Sequence, residues 1–343
     1  MSARTQVGGG APSEVAQALP PAVANLRHAV RESGLLGERA RVVVMLSGGR
    51  DSVCLLDTTA AVCRGGEVRA LHVNYGLRGA DSDADERHCA ALCEELQIEL
   101  DLVRARRGEQ GGNLQAWARE VRYEAAMELA SELDRGSAQR ALVASGHTAS
   151  DQVETVLYRL AASPGRRALL GMPARDGRLV RPLLGVTREQ TAAYCRGRSL
   201  RWREDASNDS ERYARTRVRN GVLPALRAVH PAAEDNVLRT AVLLREETEL
   251  LEALVDAELA GTQEIAIERL AVLPPALARL VVIRLAESAS GRLAPQAGER
   301  VGEIVALGRR TPAGGRVELH VGALACAVIE GGVLTMRRLE PRS

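Results

Sequence analysis

Two rhythms of apolar and polar positions run along the first half of the chain. Short apolar runs at 41–46 (RVVVML), 68–73 (VRALHV), 98–103 (IELDLV) and 141–144 (ALVA) read as strands. The first, rich in β-branched residues, has the pattern of a strand covered on both faces. Longer stretches with apolar residues three or four apart read as helices at 21–33, 51–64, 82–97, 113–133 and 149–161. Asn113 is placed to cap the fourth of these, and Asp81, Asp83, Asp85 and Glu86 suit the positive end of the third. Strands alternating with helices predict an α/β fold with a parallel sheet and right-handed crossovers. Ligands then bind beyond the carboxyl ends of the strands. Ser47, Asn74 and His147 fall at such ends, so one site could gather them.

The pattern changes further along. Residues 163–173 read as a loop, 179–182 as an edge strand and 187–198 as a helix capped by Thr187. A polar loop at 202–210 leads into Arg-rich helical turns up to His230. Beyond Pro231 the periodicity predicts long helices at 233–259 and 277–289, then a β-hairpin within 316–339 around Gly331-Gly332. A chain of 343 residues suits two domains. The boundaries that follow are a disordered lead at 1–20, an α/β catalytic domain at 21–230 and a mainly helical domain at 231–343 that ends in the hairpin. No apolar run reaches 18 residues, so no membrane span is expected. The lead has no apolar core of the kind a signal peptide needs. The six cysteines form no C-x-x-C pair, which predicts buried, reduced thiols and a cytosolic compartment.

Candidate chemistry centres on Ser47-Gly48-Gly49-Arg50-Asp51-Ser52, between the first strand and its helix. Two glycines let backbone N–H groups approach a phosphate, and a helix N-terminus adds positive potential. Ser47 and Ser52 could add hydroxyl donors. Asp51 would repel phosphate unless a metal ion or a cationic substrate sits beside it. A Walker loop is excluded, because that loop needs lysine and all 46 basic residues here are arginine. Asp151 and Glu154, three apart, share a face at the start of a helix. Net charge is only +2, yet residues 159–227 hold 16 arginines against six acids, a net +10. Such a block is the footprint of a polyanion partner.

SGGRDS (47–52) resembles the pyrophosphatase loop of enzymes that split ATP into AMP and pyrophosphate. With HVNYGLRGADSDADE (72–86), NLQAWAREVRY (113–123), GHTASDQVET (146–155), RRALLGM (166–172), RPLLGVTRE (181–189) and WREDASNDSERYARTRVRN (202–220), the chain resembles the tRNA(Ile)-lysidine synthetases. The resemblance implies the adenine-nucleotide α-hydrolase fold. It also implies a ligase reaction in which ATP adenylates the 2-carbonyl of the wobble cytidine of a CAU anticodon and the side-chain amine of free lysine displaces AMP. The implied partners are tRNA(Ile) and free L-lysine, with ATP and Mg²⁺, no membrane, and a homodimer left open. Asp51, Asp151 and Glu154 are the implied acids for the amine, with Asp51 also a candidate metal ligand. Ser47, Gly48, Gly49, Arg50, Asp51, Ser52, His72 and His147 are the implied ATP contacts. Arg119, Arg122, Arg181, Arg217 and Arg219 are the implied contacts to tRNA or phosphate. Ser150 stands where the family usually has the first of two acids, so it is no metal ligand. Tyr75 stands where the family often has histidine. Two other readings fit the loop: a tRNA thiolase, and a non-catalytic tRNA-binding protein. Thiolases often use paired cysteines, which this chain lacks, and RNA binding alone would not need acids beside a phosphate cradle.

Overall fold

The structure, a computed structural model, describes residues 19–107, 113–162, 165–204 and 214–340. The expected lead lies almost wholly outside the described residues, as do parts of the loops at 104–112 and 202–210. The chain divides into two compact units, 1–241 and 242–343.

In the first unit, strands β1 (Val42–Met45), β2 (Val68–Asn74), β3 (Glu99–Arg104), β4 (Leu142–Ala144) and β6 (Leu179–Val180) run parallel. The short β5 (Arg175–Asp176) closes the edge antiparallel to β6, in the order β3-β2-β1-β4-β6-β5. The expected edge strand at 179–182 is therefore covered. β5 escapes notice because two residues are too few to show a rhythm; Gly177, at φ +59°, makes the turn back to β6.

β1 sits at the centre because its side chains feed two cores. Val42, Val44 and Leu46 join the core under α1 (Pro21–Glu32), α2 (Arg50–Val62) and α7 (Arg188–Gly197). Val43 and Met45 join the core under α4 (Leu114–Leu133). The chain proceeds from β1 towards β3 on one side and from β4 on the other, so the strand order reverses between β1 and β4. That reversal opens a crevice at the strand ends. α3 (Ala80–Leu96), α5 (Ala149–Ala162) and α6 (Arg166–Leu169) complete the wrapping, α6 lying in what reads as a loop. After α8 (Ala214–Arg217), a π-helical turn (Val218–Val222) precedes α9 (Leu223–Val229), and α10 (Ala233–Leu259) carries the chain across the division at 241.

One buried carboxylate locks three of these helices. Asp57 of α2 accepts from Arg27 of α1 at 3.1 Å, from Tyr194 of α7 at 2.5 Å, and from Arg198, just past α7, at 3.1 and 3.0 Å. Burial alone would raise its pKa, but Arg198, Tyr194 and Arg27 bring it below the ordinary carboxylate value. This fixes the far end of the helix whose first turn reaches the candidate site.

The second unit holds β7 (Glu264–Ala266), α11 (Ile267–Val272), α12 (Pro275–Ser290), α13 (Val301–Arg310), β8 (Arg316–Gly322), β9 (Ala325–Glu330) and β10 (Val333–Arg338). The expected hairpin is part of a four-stranded antiparallel sheet, ordered β7-β10-β9-β8. The turn between β8 and β9 uses Ala323 and Leu324 at φ +49° and +59°. Such turns ordinarily carry Asn-Gly or Asp-Gly, so the residues at this one gave no signal. Ala325, Ala327, Ile329 and Leu334 pack with α12 and α13 into a core of this unit's own.

Removing the Asp57 carboxylate leaves buried guanidinium unpaired, a loss of about 3–5 kcal/mol. Asp57→Ala should lower the melting temperature of the first unit clearly, as thermal unfolding by circular dichroism would record.

Candidate active site

Leu46 ends the central apolar run, and the chain turns at once through Ser47-Gly48-Gly49 into α2. Gly48 has φ +81°, and a Cβ there would lie 3.2 Å from Cys89 Sγ and 3.3 Å from His88 Cδ2. Only glycine suits both the conformation and the space. The serines are spent on shaping the turn. Ser52 Oγ donates to Gly49 O at 2.8 Å and accepts the Ser47 N–H at 3.1 Å, and the two hydroxyls lie 3.0 Å apart. The first N–H groups of α2 have no partner within the helix and are the backbone donors that an anion at this loop would meet. Arg203 braces the loop from outside: its N–H donates to Gly48 O at 3.0 Å and its Nε to Asp85 at 2.5 Å.

Gly146, at the end of β4, comes against the same loop. A Cβ there would lie 3.2 Å from Asp51 O. The next residues, His147 and Thr148, thus enter α5 beside the cradle. Thr148 N–H and Oγ1 both donate to Asp151 Oδ2 at 2.8 Å, which fixes that carboxylate on the first turn of α5.

The three implied acids do come together, and an arginine that the sequence reading overlooked gathers them. Arg188, the first residue of α7, places Nη2 2.7 Å from Asp151, Nη1 3.1 Å from Glu154 and Nε 3.9 Å from Asp51. Thr191, one turn on, donates to Asp51 at 2.5 Å. Arg50 pairs with its neighbour Asp51 at 3.0 Å. Arg219, on the π-helical turn, grips Glu154 at 2.6 and 3.1 Å. Burial would raise the Asp151 pKa, but Arg188 and the Thr148 donors take it below the ordinary value. Glu154 is 2% exposed, against 21% and 22% for the side chains of Asp151 and Asp51. Glu154 thus anchors the arginines from below, while Asp51 and Asp151 face the opening.

His147 sits at the rim, its Nδ1 2.6 Å from Ser145 Oγ. Burial and the nearby Arg181, Arg119 and Arg122 depress its pKa from 6.5 to about 4, against the pull of Asp151. The ring is neutral at neutral pH. Arg181 is 4% exposed and donates to Pro173 O at 2.6 Å, so it lies inside the unit and not on an outer face. Its Nε and that of Arg122 are buried without a hydrogen-bond partner. Arg119 lies 4.5 Å over the Tyr123 ring. His72 is buried under the loop, where Nδ1 donates to Leu46 O at 2.9 Å, so it supports the cradle from beneath. Asn74 belongs elsewhere: its amide donates to Glu86 at 2.8 Å and to Asp83 at 3.2 Å, which ties β2 to α3. Arg217 is exposed on α8. Trp202 packs against the first unit's core, and Trp117 stacks edge-on with Tyr75.

All six cysteines are buried free thiols. Burial pushes the Cys63 and Cys93 thiols up to about 11. Among the described residues no three His, Cys, Asp or Glu side chains converge to hold a metal ion. No described helix is long and apolar enough to cross a membrane.

A glycine loop at the reversal point of a parallel sheet, flanked by acids and fed by a helix N-terminus, defines the PP-loop class of nucleotide-binding proteins, and residues 20–226 match the PP-loop domain. A tRNA(Ile)-lysidine synthase of Salinispora arenicola is 40% identical over 72% of this chain and 75% of its own length. One from Salinispora tropica is 36% identical over 84% of this chain and 89% of its own. The chain belongs to the tRNA(Ile)-lysidine synthase family. It spans 65% of the relative from Dehalococcoides mccartyi and 48% of that from Pseudomonas fluorescens. Among solved structures, the U34-tRNA thiolase of Methanococcus maripaludis with its [4Fe-4S] cluster shares the fold: TM-score 0.55, 19% identity, over 65% of this chain and 79% of that one.

The folded protein binds a proton at His147 less readily than the unfolded chain does. That contribution to stability is complete above pH 6.5 and is lost as pH falls towards about 4. His147→Gln should therefore flatten the fall in melting temperature across this window, by an amount corresponding to up to roughly 1.4 kcal/mol per pH unit. Thermal melts of both proteins from pH 7 to pH 4.5 measure the difference.

Proposed function

We propose that this protein is a ligase that uses ATP to join free L-lysine to C2 of the wobble cytidine of tRNA(Ile) bearing a CAU anticodon. The observation that carries the reading is the gathering of Asp51, Asp151 and Glu154 at the edge of a phosphate-binding loop. The first step needs an anion cradle. The 2-carbonyl oxygen attacks the α-phosphorus of ATP and pyrophosphate leaves; the N–H groups that open α2 hold phosphate oxygens. The second step needs acids. The lysine side chain arrives as an ammonium, gives up a proton, and attacks C2 as the free amine while AMP departs with the oxygen. Asp51 and Asp151 are the half-buried carboxylates that would hold this ammonium and take its proton.

Mg²⁺ fits as an ion carried by the phosphates, where it would neutralise their charge. Such ions take one or two protein carboxylates, and Asp51 is the acid nearest the loop; the described residues offer no all-protein cage. Arg119 and Arg122, near His147, suit phosphate oxygens of ATP or tRNA, whereas Arg181, 4% exposed, is turned into the unit. The family resemblance supports cytoplasmic tRNA as the partner. Sulfur delivery is disfavoured by the burial of every cysteine.

Mass spectrometry of nucleosides from tRNA incubated with the protein, ATP, Mg²⁺ and L-lysine should reveal lysidine. Absence of lysidine from an active preparation with the correct tRNA rejects the reading. Asp51→Asn should keep the melting temperature within a few degrees and reduce lysine incorporation at least ~30-fold, since loss of a desolvated charged contact costs about 2–5 kcal/mol. Normal turnover by the folded variant would remove Asp51 from the mechanism.

A further inference from the structure

The acids of this site are already neutralised. Among the described residues, Asp51, Asp151 and Glu154 face Arg50, Arg188 and Arg219, three carboxylates against three guanidiniums. An ammonium entering this cluster would find the place between Asp151 and Glu154 already filled by a guanidinium, and two cations cannot share it. For the amine to sit between these acids, a resident cation has to withdraw. Resting on the proposed amine-ligating function, we propose that Arg188 holds the place of the substrate ammonium between the acids and leaves it by exchange when the amine binds.

The geometry singles out Arg188 among the three. Its guanidinium is the one that reaches all three carboxylates, at 2.7, 3.1 and 3.9 Å. Among these three acids, Arg50 pairs with its sequence neighbour Asp51, and Arg219 with Glu154. When Arg188 swings away, Arg219 still satisfies the buried Glu154 through two bonds, so the exchange strands no buried charge. Asp151 also keeps its two Thr148 donors.

The position of Arg188 points the same way. It opens α7, where the helix dipole disfavours a cation. Acids are the ordinary choice there, and Glu189 follows it at once. The arginine stays because the carboxylates hold it, and its side chain, 22% exposed, has a route to solvent. A guanidinium is protonated at all working pH values, so it can occupy a nucleophile's place without acting as one.

An internal competitor lowers the apparent affinity for its rival in proportion to the fraction of molecules in which it has withdrawn. Removing the competing charge should therefore tighten lysine binding, the reverse of what losing a substrate contact or a scaffold would do. Equilibrium dialysis of radiolabelled L-lysine against the full chain tests this with Arg188→Gln and Arg188→Ala. Each folded variant should bind lysine about tenfold tighter, or more, with ATP affinity unchanged. Methylguanidinium should compete with lysine in Arg188→Ala far better than in the wild type. Lysine affinity that stays the same or weakens in the folded variants overturns the exchange.

The wild type supplies an arm that does not depend on a variant folding. Saturating L-lysine should speed modification of Arg188 by phenylglyoxal, read by peptide mass spectrometry; protection by lysine rejects the proposal. Lysidine formation by the wild type is scored separately. A wild type that makes lysidine while Arg188→Gln binds lysine no tighter rejects the exchange alone. A wild type that makes none rejects the ligase reading.

Discussion

A half-buried carboxylate must be paired or give up its charge, and three of them meet beside the phosphate loop of this protein. Asp51 comes from the helix that the loop opens, and Asp151 and Glu154 come from the helix after β4. Crowded like charges repel one another. The guanidinium of Arg188 offsets that repulsion, and it reaches the acids because α7 lies against α2. The Asp57 network, with four donor atoms from Arg27, Tyr194 and Arg198 on one carboxylate, holds α7 in that position. A structural ion cluster at one end of α7 thus serves a chemical ion cluster at the other.

The parallel-sheet half was legible because its signals are local. Runs such as VVVM permit one placement, at the sheet centre, and glycines at a strand–helix junction permit one backbone path. Element type followed from periodicity for β1 to β4 and for α1 to α5 and α7. The acids at 51, 151 and 154 were legible as residue types that a phosphate loop does not need. Arg188 was not, although a signal existed: a cation in the first turn of a capped helix runs against the dipole. Its partners are 34, 37 and 137 residues away, and one-dimensional spacing carries no trace of them. The partners that Ser47, Ser52, His72 and Asn74 hold within the fold were not legible for a related reason. Each lies at or beside a strand end, where a polar side chain can turn to the ligand or back to the fold, and only partner geometry decides. The four-stranded sheet of the second unit stayed hidden behind a turn built from Ala323 and Leu324, which few rules would mark.

The comparison with the thiolase separates what the fold supplies from what the site supplies. A shared PP-loop fold at 19% identity brings the sheet and the cradle. What a fold shared at that identity does not carry is the set of side chains around the loop. Around this loop stand the carboxylates of Asp51, Asp151 and Glu154 and the guanidiniums of Arg50, Arg188 and Arg219, while the cysteine thiols are buried.

Charge along a sequence is also not charge on a surface. The block at 159–227 has a net +10 in the chain, yet much of it is spent within the first unit. Arg178 pairs with Asp134, Arg198 with Asp57, Arg203 with Asp85, and Arg188 and Arg219 with the site acids. All of those acids precede residue 159, so the block and the acidic stretches before it are two halves of one internal ledger. The second unit does not supply the missing positive field, since 242–343 carries 12 arginines against 14 acids. Near the crevice, Arg119 and Arg122 are the described arginines whose charge reaches His147 without being spent on these acids. Charge in a sequence is first a search for partners within the fold, and only the remainder is a field offered to a ligand.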